Sequence, residues 1–437
     1  MPPRIPPVPI FGRGDTHVSP RTGVMEGVEE EEDEDEEEEE AEEAQERLLQ
    51  HLMERTGREL PQRQLELDWD VLGELGSGSY GRVVLAQPRH GGEQVVLKLL
   101  WKGRTERWEF LRELCTHLCL RGQHTCVQVL PIAFESATHF IFGQELAPAG
   151  DLCGLLTPGV GLPEAQVKRC AAQVGAALDY LHGHALVHRD VKLDNVLAFD
   201  PECHLVKLGD FGLTRVSGWQ VRPGVPTTGH TPYAAPELCQ VGRAQALPLR
   251  PSVDTWAFGV LLFALLTGTF PWAAATCQDH QFQVFQVWQR CTWQAGGHEK
   301  VPPTWRVLGG AAREALQELL RVEPELRCHA GQVGTYLATP PQAPPPFTHH
   351  AHLTTHLGTH TCDHELVCHM TQRLPLVHAS RQGDRVAAIM WVQLRLSPGS
   401  ESPRRVRGPT TPGIPIQPMT PGLYGGLRDN GSSHHPH

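Results

Sequence analysis

The sequence predicts an α+β chain of two unequal lobes, a small β-rich one followed by a larger helical one, with a disordered tail at each end. Three observations predict this. Between Leu72 and Leu100, short apolar and β-branched runs alternate with glycine turns. From about residue 163, and again after Pro251, apolar residues recur at helical spacing. Both ends, residues 1–43 and 338–437, are dominated by proline, glutamate or histidine and hold too little apolar surface to fold.

Composition narrows the function. The 437-residue chain has a net charge of −12, but residues 29–43, "EEEEDEDEEEEEAEE", hold fourteen acidic residues and no basic one. The rest of the chain is therefore close to neutral, and nothing in it argues for nucleic acid as the partner. Twelve cysteines without a C-x-x-C pair, in a chain this long, read as reduced thiols of a cytoplasmic or nuclear protein. The N-terminus lacks the apolar core of a signal peptide. The most apolar run, "WAFGVLLFALL" (256–266), is a core helix, because spanning a membrane takes about 20 such residues. No membrane insertion is expected.

The elements follow in order. Residues 44–69, "AQERLLQHLMERTGRELPQRQLELDW", form a helical lead-in. Next comes "ELGSGSYGRVVLA" (74–86), with Gly76, Gly78 and Gly81 at G-x-G-x-x-G spacing. A dinucleotide fold would run from these glycines into a helix, whereas here they exit into another strand, so a strand–turn–strand lid is predicted. "GGEQVVLKLL" (91–100) adds a turn and a strand carrying Lys98, placed to reach phosphates under the hairpin. A buried lysine needs an acidic partner to stay charged. The next segment, "RTERWEFLRELCTHLCL" (104–120), is a helix with Trp108, Leu111, Leu114, Cys115 and Leu118 on its apolar face. Of its glutamates Glu106, Glu109 and Glu113, the last sits among Phe110, Leu111 and Leu114 and is the predicted partner. Further on, "PEAQVKRCAAQVGAALDYLHGH" aligns Val167, Cys170, Ala171, Val174, Ala177, Leu178 and Leu181 along one helical face.

Two strings then carry the chemistry. "LVHRDVKLDNVL" (186–197) places Asp190, Lys192 and Asn195 in a loop between a helix and a short strand, and "LGDFGLT" (208–214) follows with Asp210. Together they hold a carboxylate for an acceptor hydroxyl, a cation for a γ-phosphate and two oxygen ligands for Mg²⁺, the parts needed for phosphoryl transfer.

On these strings, residues 70–337 resemble the eukaryotic protein kinases. "GSGSYGRVVLAQP", "FLREL", "APAGDL" and "TPYAAPELC" are most similar to the SH3-binding domain kinase family. The resemblance implies a bilobal protein-kinase fold and ATP-dependent phosphorylation of protein serines and threonines, with ATP and Mg²⁺ as cofactors. Lys192, two residues after the base, follows the serine/threonine pattern; Leu193 and Asp194 stand where proline and glutamate are common. By position, Leu75, Gly76, Ser77, Gly78, Ser79, Tyr80, Gly81, Arg82 and Val83 would form the ATP lid. Lys98 and Glu113 would pair beside the α- and β-phosphates. Gln144 would be the gatekeeper, Glu145 and Ala147 would offer backbone bonds to adenine, and Asp151 would lie near the ribose. Asp190 would be the catalytic base, Lys192 the γ-phosphate contact, and Asn195 and Asp210 the metal ligands. Glu237 would pair with Arg327, and Asp254 would hold the catalytic loop.

Regulation and partners are read from the same strings. Arg189 suggests a phosphate switch; among Ser217, Thr227, Thr228 and Thr231, the sequence favours Thr227 or Thr228. The expected partners are protein substrates, and the chain is expected to be a monomer. "PRIPPVP", "PPQAPPP" and "RRVRGPTTPGIPIQP" carry the P-x-x-P spacing of SH3-domain ligands. The alternative reading is therefore a pseudokinase-like scaffold that binds SH3 domains through its tails. In the last hundred residues, Cys362, His364, Cys368 and His369 match no structural zinc spacing.

Overall fold

The structure, a computed structural model, describes residues 27–78, 81–222, 231–239, 246–294 and 301–340. Ser79, Tyr80, Thr227, Thr228, the proline-rich strings and the histidine-rich segment lie wholly or almost wholly outside these residues.

The described chain opens with helix α1 (Gly27–Glu59). This corrects the sequence reading, which placed residues 29–43 in a disordered tail. Glutamate is a good helix former, and a distant cation offsets part of the repulsion between Glu38 and Glu42, one turn apart. Arg112 pairs with Glu46, and Arg250 with Glu38 and Glu42. The sequence gives no sign of these pairs. After a break at Pro61, the short helix α2 (Leu65–Asp68) leads into the sheet.

The small lobe is built on five antiparallel strands in the order β1-β2-β3-β5-β4. They are β1 (Trp69–Ser77), β2 (Gly81–Pro88), β3 (Val95–Trp101), β4 (Val129–Glu135) and β5 (His139–Gln144). The glycine motif is the β1–β2 hairpin, with Gly76 opposite Val83 and Ser77 opposite Arg82. Gly81 has a packing reason of its own: a side chain there would collide with the Leu99 carbonyl of β3.

Between β3 and β4 lies α3 (Arg107–Cys119), started by a capping box in which the Glu106 amide donates to Glu109 Oε2 at 3.0 Å. Phe110, Leu111, Leu114 and Cys115 pack against Phe140 and Phe142 of the sheet and against Leu49 and Met53 of α1. Because α3 is covered from two sides, every residue from Phe110 to His117 is buried. Trp108, expected on the apolar face, is exposed, and Phe110 takes the buried place.

The larger lobe contains α4 (Leu152–Leu155), α5 (Glu164–His182), α6 (Ser252–Thr267), α7 (His280–Gln294), α8 (Gly310–Leu319) and α9 (Gly334–Ala338). Three small two-stranded sheets accompany them. These pair β6 (Leu186–Val187) with β9 (Arg215–Val216), β7 (Val196–Ala198) with β8 (Val206–Leu208), and β10 (Gln220–Val221) with β11 (Leu247–Pro248). All seven apolar positions named for α5 are buried. Helix α6 is apolar all round and is buried from Val253 to Leu265, as a central core helix must be. Gly268 ends it at φ 69°, a left-handed cap. Among the described residues, no helix is long and apolar enough to cross a membrane.

Candidate active site

Strand β3 delivers Lys98 to the cleft beside the glycine hairpin. Its Nζ lies 2.6 Å from Glu113 Oε1 of α3 and 2.8 Å from Asp210 Oδ1, just beyond β8. Burial alone would lower the Lys98 pKa, but the two carboxylates outweigh it and raise it. Burial also works against ionisation of Asp210, and Lys98 overcomes it, holding this half-exposed carboxyl well below the usual range. Glu113 is shifted the other way. Its burial, with the Asp210 charge adding to it, outweighs a lysine that it has to share. Thus one cation joins the sheet, helix α3 and the segment after β8.

The catalytic loop is held from below by Asp254, in the first turn of α6. Its Oδ2 accepts the His188 amide and its Oδ1 the Arg189 amide, both at 2.7 Å, and His182 Nε2 lies 3.0 Å from Oδ2. Arg189 adopts a left-handed φ of 71°. Asp210 is likewise left-handed, at φ 59°. Non-glycine residues seldom adopt this conformation and cluster at functional sites when they do. The His188 ring spans the loop, with Nδ1 accepting the Asp190 amide at 3.2 Å and Nε2 lying 3.1 Å from the Gly209 carbonyl.

Around Asp190 the bonds are short and convergent. Lys192 Nζ and Asn195 Nδ2 each donate to Asp190 Oδ2 at 2.8 Å, and Asn195 Nδ2 also reaches the Asp190 carbonyl. The structure thus gathers Lys98, Glu113, Asp190, Lys192, Asn195 and Asp210 in two linked clusters. Asp194, next in the loop, is buried, and burial pushes its pKa up to about 6 against the pull of Lys192.

The remaining expected residues are placed as follows. Gly76 and Gly78 face open space, and the Gly78 amide closes the hairpin by donating to the Gly81 carbonyl at 2.9 Å. Asp151 caps α4, accepting the Gly154 amide at 2.6 Å. Glu145 grips Lys207 of β8 through both carboxylate oxygens, at 2.7 and 2.8 Å, and accepts the Gln128 amide at 2.7 Å. Ala147 lies two residues beyond it in the crossing between the lobes. Glu237 and Arg327 form a two-pronged pair at 2.6 and 2.7 Å. Ser217 is buried and donates to the Leu249 carbonyl, which removes it as a phosphate acceptor.

His117 escaped the sequence reading. One turn after Glu113 on α3, it meets Phe211 edge-on at 4.7 Å between ring centres, and Phe211 in turn meets His188 at 5.2 Å. Burial drives its pKa down to about 3, so it works as a neutral ring linking α3 to the catalytic loop. The only signal in the sequence was its i+4 spacing from Glu113.

Residues 69–336 match the protein kinase domain family. The chain is 42% identical over 290 residues to the serine/threonine-protein kinase SBK1 of Mus musculus, covering 66% of this chain and 68% of that one. It is 40% identical over 294 residues to the serine/threonine-protein kinase SBK2 of Mus musculus, with 67% and 79% covered. With the serine/threonine-protein kinase meng-po of Drosophila melanogaster it shares 32% identity over 282 residues, 64% and 60% of the two chains. The chain belongs to the eukaryotic protein kinases, within the SBK group of serine/threonine-protein kinases.

Proposed function

We propose that the chain transfers the γ-phosphoryl group of ATP to serine or threonine hydroxyls of proteins, using the residues gathered at Lys98 and Asp190. The observation that carries this reading is the bridge of Lys98 to Glu113 and Asp210, at 2.6 and 2.8 Å. It sets a fixed cation beside a carboxylate kept ionised under the glycine hairpin, as phosphate binding requires. In the transfer, a bond forms between the acceptor oxygen and phosphorus while the bond from phosphorus to the β,γ-bridging oxygen breaks. Asp190 takes the hydroxyl proton, its carboxylate oriented by Lys192 and Asn195. In this reading Lys192 would also meet the charge of the moving phosphoryl group.

The donor set fits a hard divalent cation. Asp210 is ionised and half exposed, and Asn195 spends its Nδ2 on Asp190, which leaves Oδ1 as its ligand end. Asp210 and Asn195 would hold Mg²⁺, which when bound neutralises phosphate charge. The roles of the lid residues, of Glu145 and Ala147 toward adenine and of Asp151 toward ribose belong to the same reading. So does a reducing compartment, cytoplasm or nucleus, which the free thiols of the described cysteines support.

Radiolabelled ATP with generic protein substrates tests the activity. Label is expected on serine or threonine with the wild type and absent with Asp190→Asn. Equal labelling by the two proteins would leave the scaffold reading, which the P-x-x-P strings support.

A further inference from the structure

Helix α3 carries Glu113 but is clamped by the sheet on one side only. Its other side is covered by α1, through Leu49 and Met53 against Phe110, Leu111 and Leu114. Polar contacts mark both ends of this seam. Arg107 Nη2 donates to the Gly57 carbonyl at 2.6 Å, and Glu46 takes Arg112 through both oxygens, at 3.1 and 2.8 Å. The Arg112 side chain is only 6% exposed, so Glu46 is the counter-charge of a buried guanidinium.

Arg112 is also part of a larger cluster. Arg215, on β9, feels the charges of both Arg112 and Arg189, and burial followed by this repulsion brings its pKa down to about 10. Trp219 is shared between Arg112 and Arg215, 5.7 and 5.8 Å from its ring centre, and Arg215 also lies over Trp108 at 5.7 Å. Three arginines from α3, the catalytic loop and the segment after Asp210 thus converge where α1 arrives with carboxylates. One turn before Glu46, the Glu42 carboxylate lies against Gly218, so close that a side chain at Gly218 would collide with it. Glu42 and Glu38 then pair with Arg250, just ahead of α6, at 3.6 and 3.4 Å.

We propose that α1 is the positioning element of the catalytic ion pair: Glu46, Leu49 and Met53 hold α3 with Glu113 on Lys98, and Glu42 and Glu46 tie α3 to the segment after Asp210. Glu46 supplies Arg112, and through its field Arg215, with negative charge of the kind a phosphate on the activation segment would otherwise bring. The proposal rests on the kinase reading. It gives the carboxylates of α1 from Glu42 to Glu46 a stimulatory role.

The test uses the full chain with Glu46→Arg and with the charge swap Glu46→Arg/Arg112→Glu. The single variant is expected to lose about tenfold or more in kcat, with the KM for protein substrate within about threefold of wild type. Hydrogen exchange is expected to speed up over residues 107–119 and 215–222 and to stay unchanged over 252–267. The swap is expected to restore both rate and exchange. Glu46→Gln, which removes the charge and keeps the shape, covers the case in which the reversal does not fold; a smaller loss of the same pattern is expected. Wild-type kcat and exchange in the single variant, or no recovery in the swap, overturns the proposal. If the wild type itself transfers no label, the kinase reading falls, and the exchange data still decide the role of α1.

Discussion

Helices α6 and α3 each present a buried carboxylate to the catalytic apparatus, Asp254 at the start of α6 and Glu113 halfway along α3. Their supports differ. Helix α6 is enclosed on every side by the apolar interior of the larger lobe and is buried from Val253 to Leu265. Helix α3 is held between a sheet and one further helix, which grips it through buried Leu49 and Met53, the Arg112–Glu46 ion pair and the hydrogen bond from Arg107 to the Gly57 carbonyl. The part of the site that must be constant is therefore anchored in the deep core. The part that aligns Lys98 is anchored in a contact that a change of charge can loosen.

The largest effect is expected of Asp254→Ala. It strands two buried amides and removes the acceptor of His182, at about 1–3 kcal/mol for each unsatisfied amide. Activity is expected to fall on the order of a thousandfold, seen in single-turnover phosphoryl transfer. A loss under tenfold would mean that the loop holds its shape without α6.

A matched pair of truncations separates the two helices. Leu262→Ala, inside α6, is expected to cost about 2–5 kcal/mol in denaturant melts while the folded fraction keeps its kcat. Leu49→Ala, on α1, is expected to cost less stability and more kcat. If both variants shift melts and rates alike, α3 is no more adjustable than α6.

The smallest effect concerns pH. Asp194 has its folded pKa raised to about 6, against roughly 3.9 for an unfolded aspartate. Folding therefore favours its protonated form, and the associated stability is present at low pH and lost as pH rises through about 6. Asp194→Asn should melt higher than wild type at pH 8, with the gap closing as pH falls from about 6 to 4. A gap constant across that window would show that Asp194 does not titrate there.

What the sequence disclosed depended on how far apart the partners lie along the chain. The hairpin, α3, α5 and α6 were legible because their patterns are local. Lys98, Glu113, Asp190, Asn195 and Asp210 could be singled out because their chemistry constrains their order as well as their type. The second half of α1 falls in the expected helical lead-in, but its acidic first half was not legible. A solvated charge run and a helix whose counter-charge lies 212 residues away look the same on paper. Trp108 was placed on the wrong side because a helical wheel gives the apolar arc and not what covers it. His117 was missed because its ring partner, Phe211, lies far along the sequence.

The grip of Glu145 on Lys207 has a mechanical consequence. Two segments of the small lobe's chain, the turn ahead of β4 and the crossing after β5, are fastened here to the same short strand of the larger lobe. Glu145 is bound to Lys207, while the Val127 amide donates to the Leu208 carbonyl at 2.9 Å and the Leu208 amide to the Thr125 carbonyl at 2.8 Å. The first residue of the crossing is thus tied to the larger lobe through Lys207 and to Gln128, the residue ahead of β4. A change in the angle between the lobes has to strain or break one of these bonds, which stiffens the crossing where it begins.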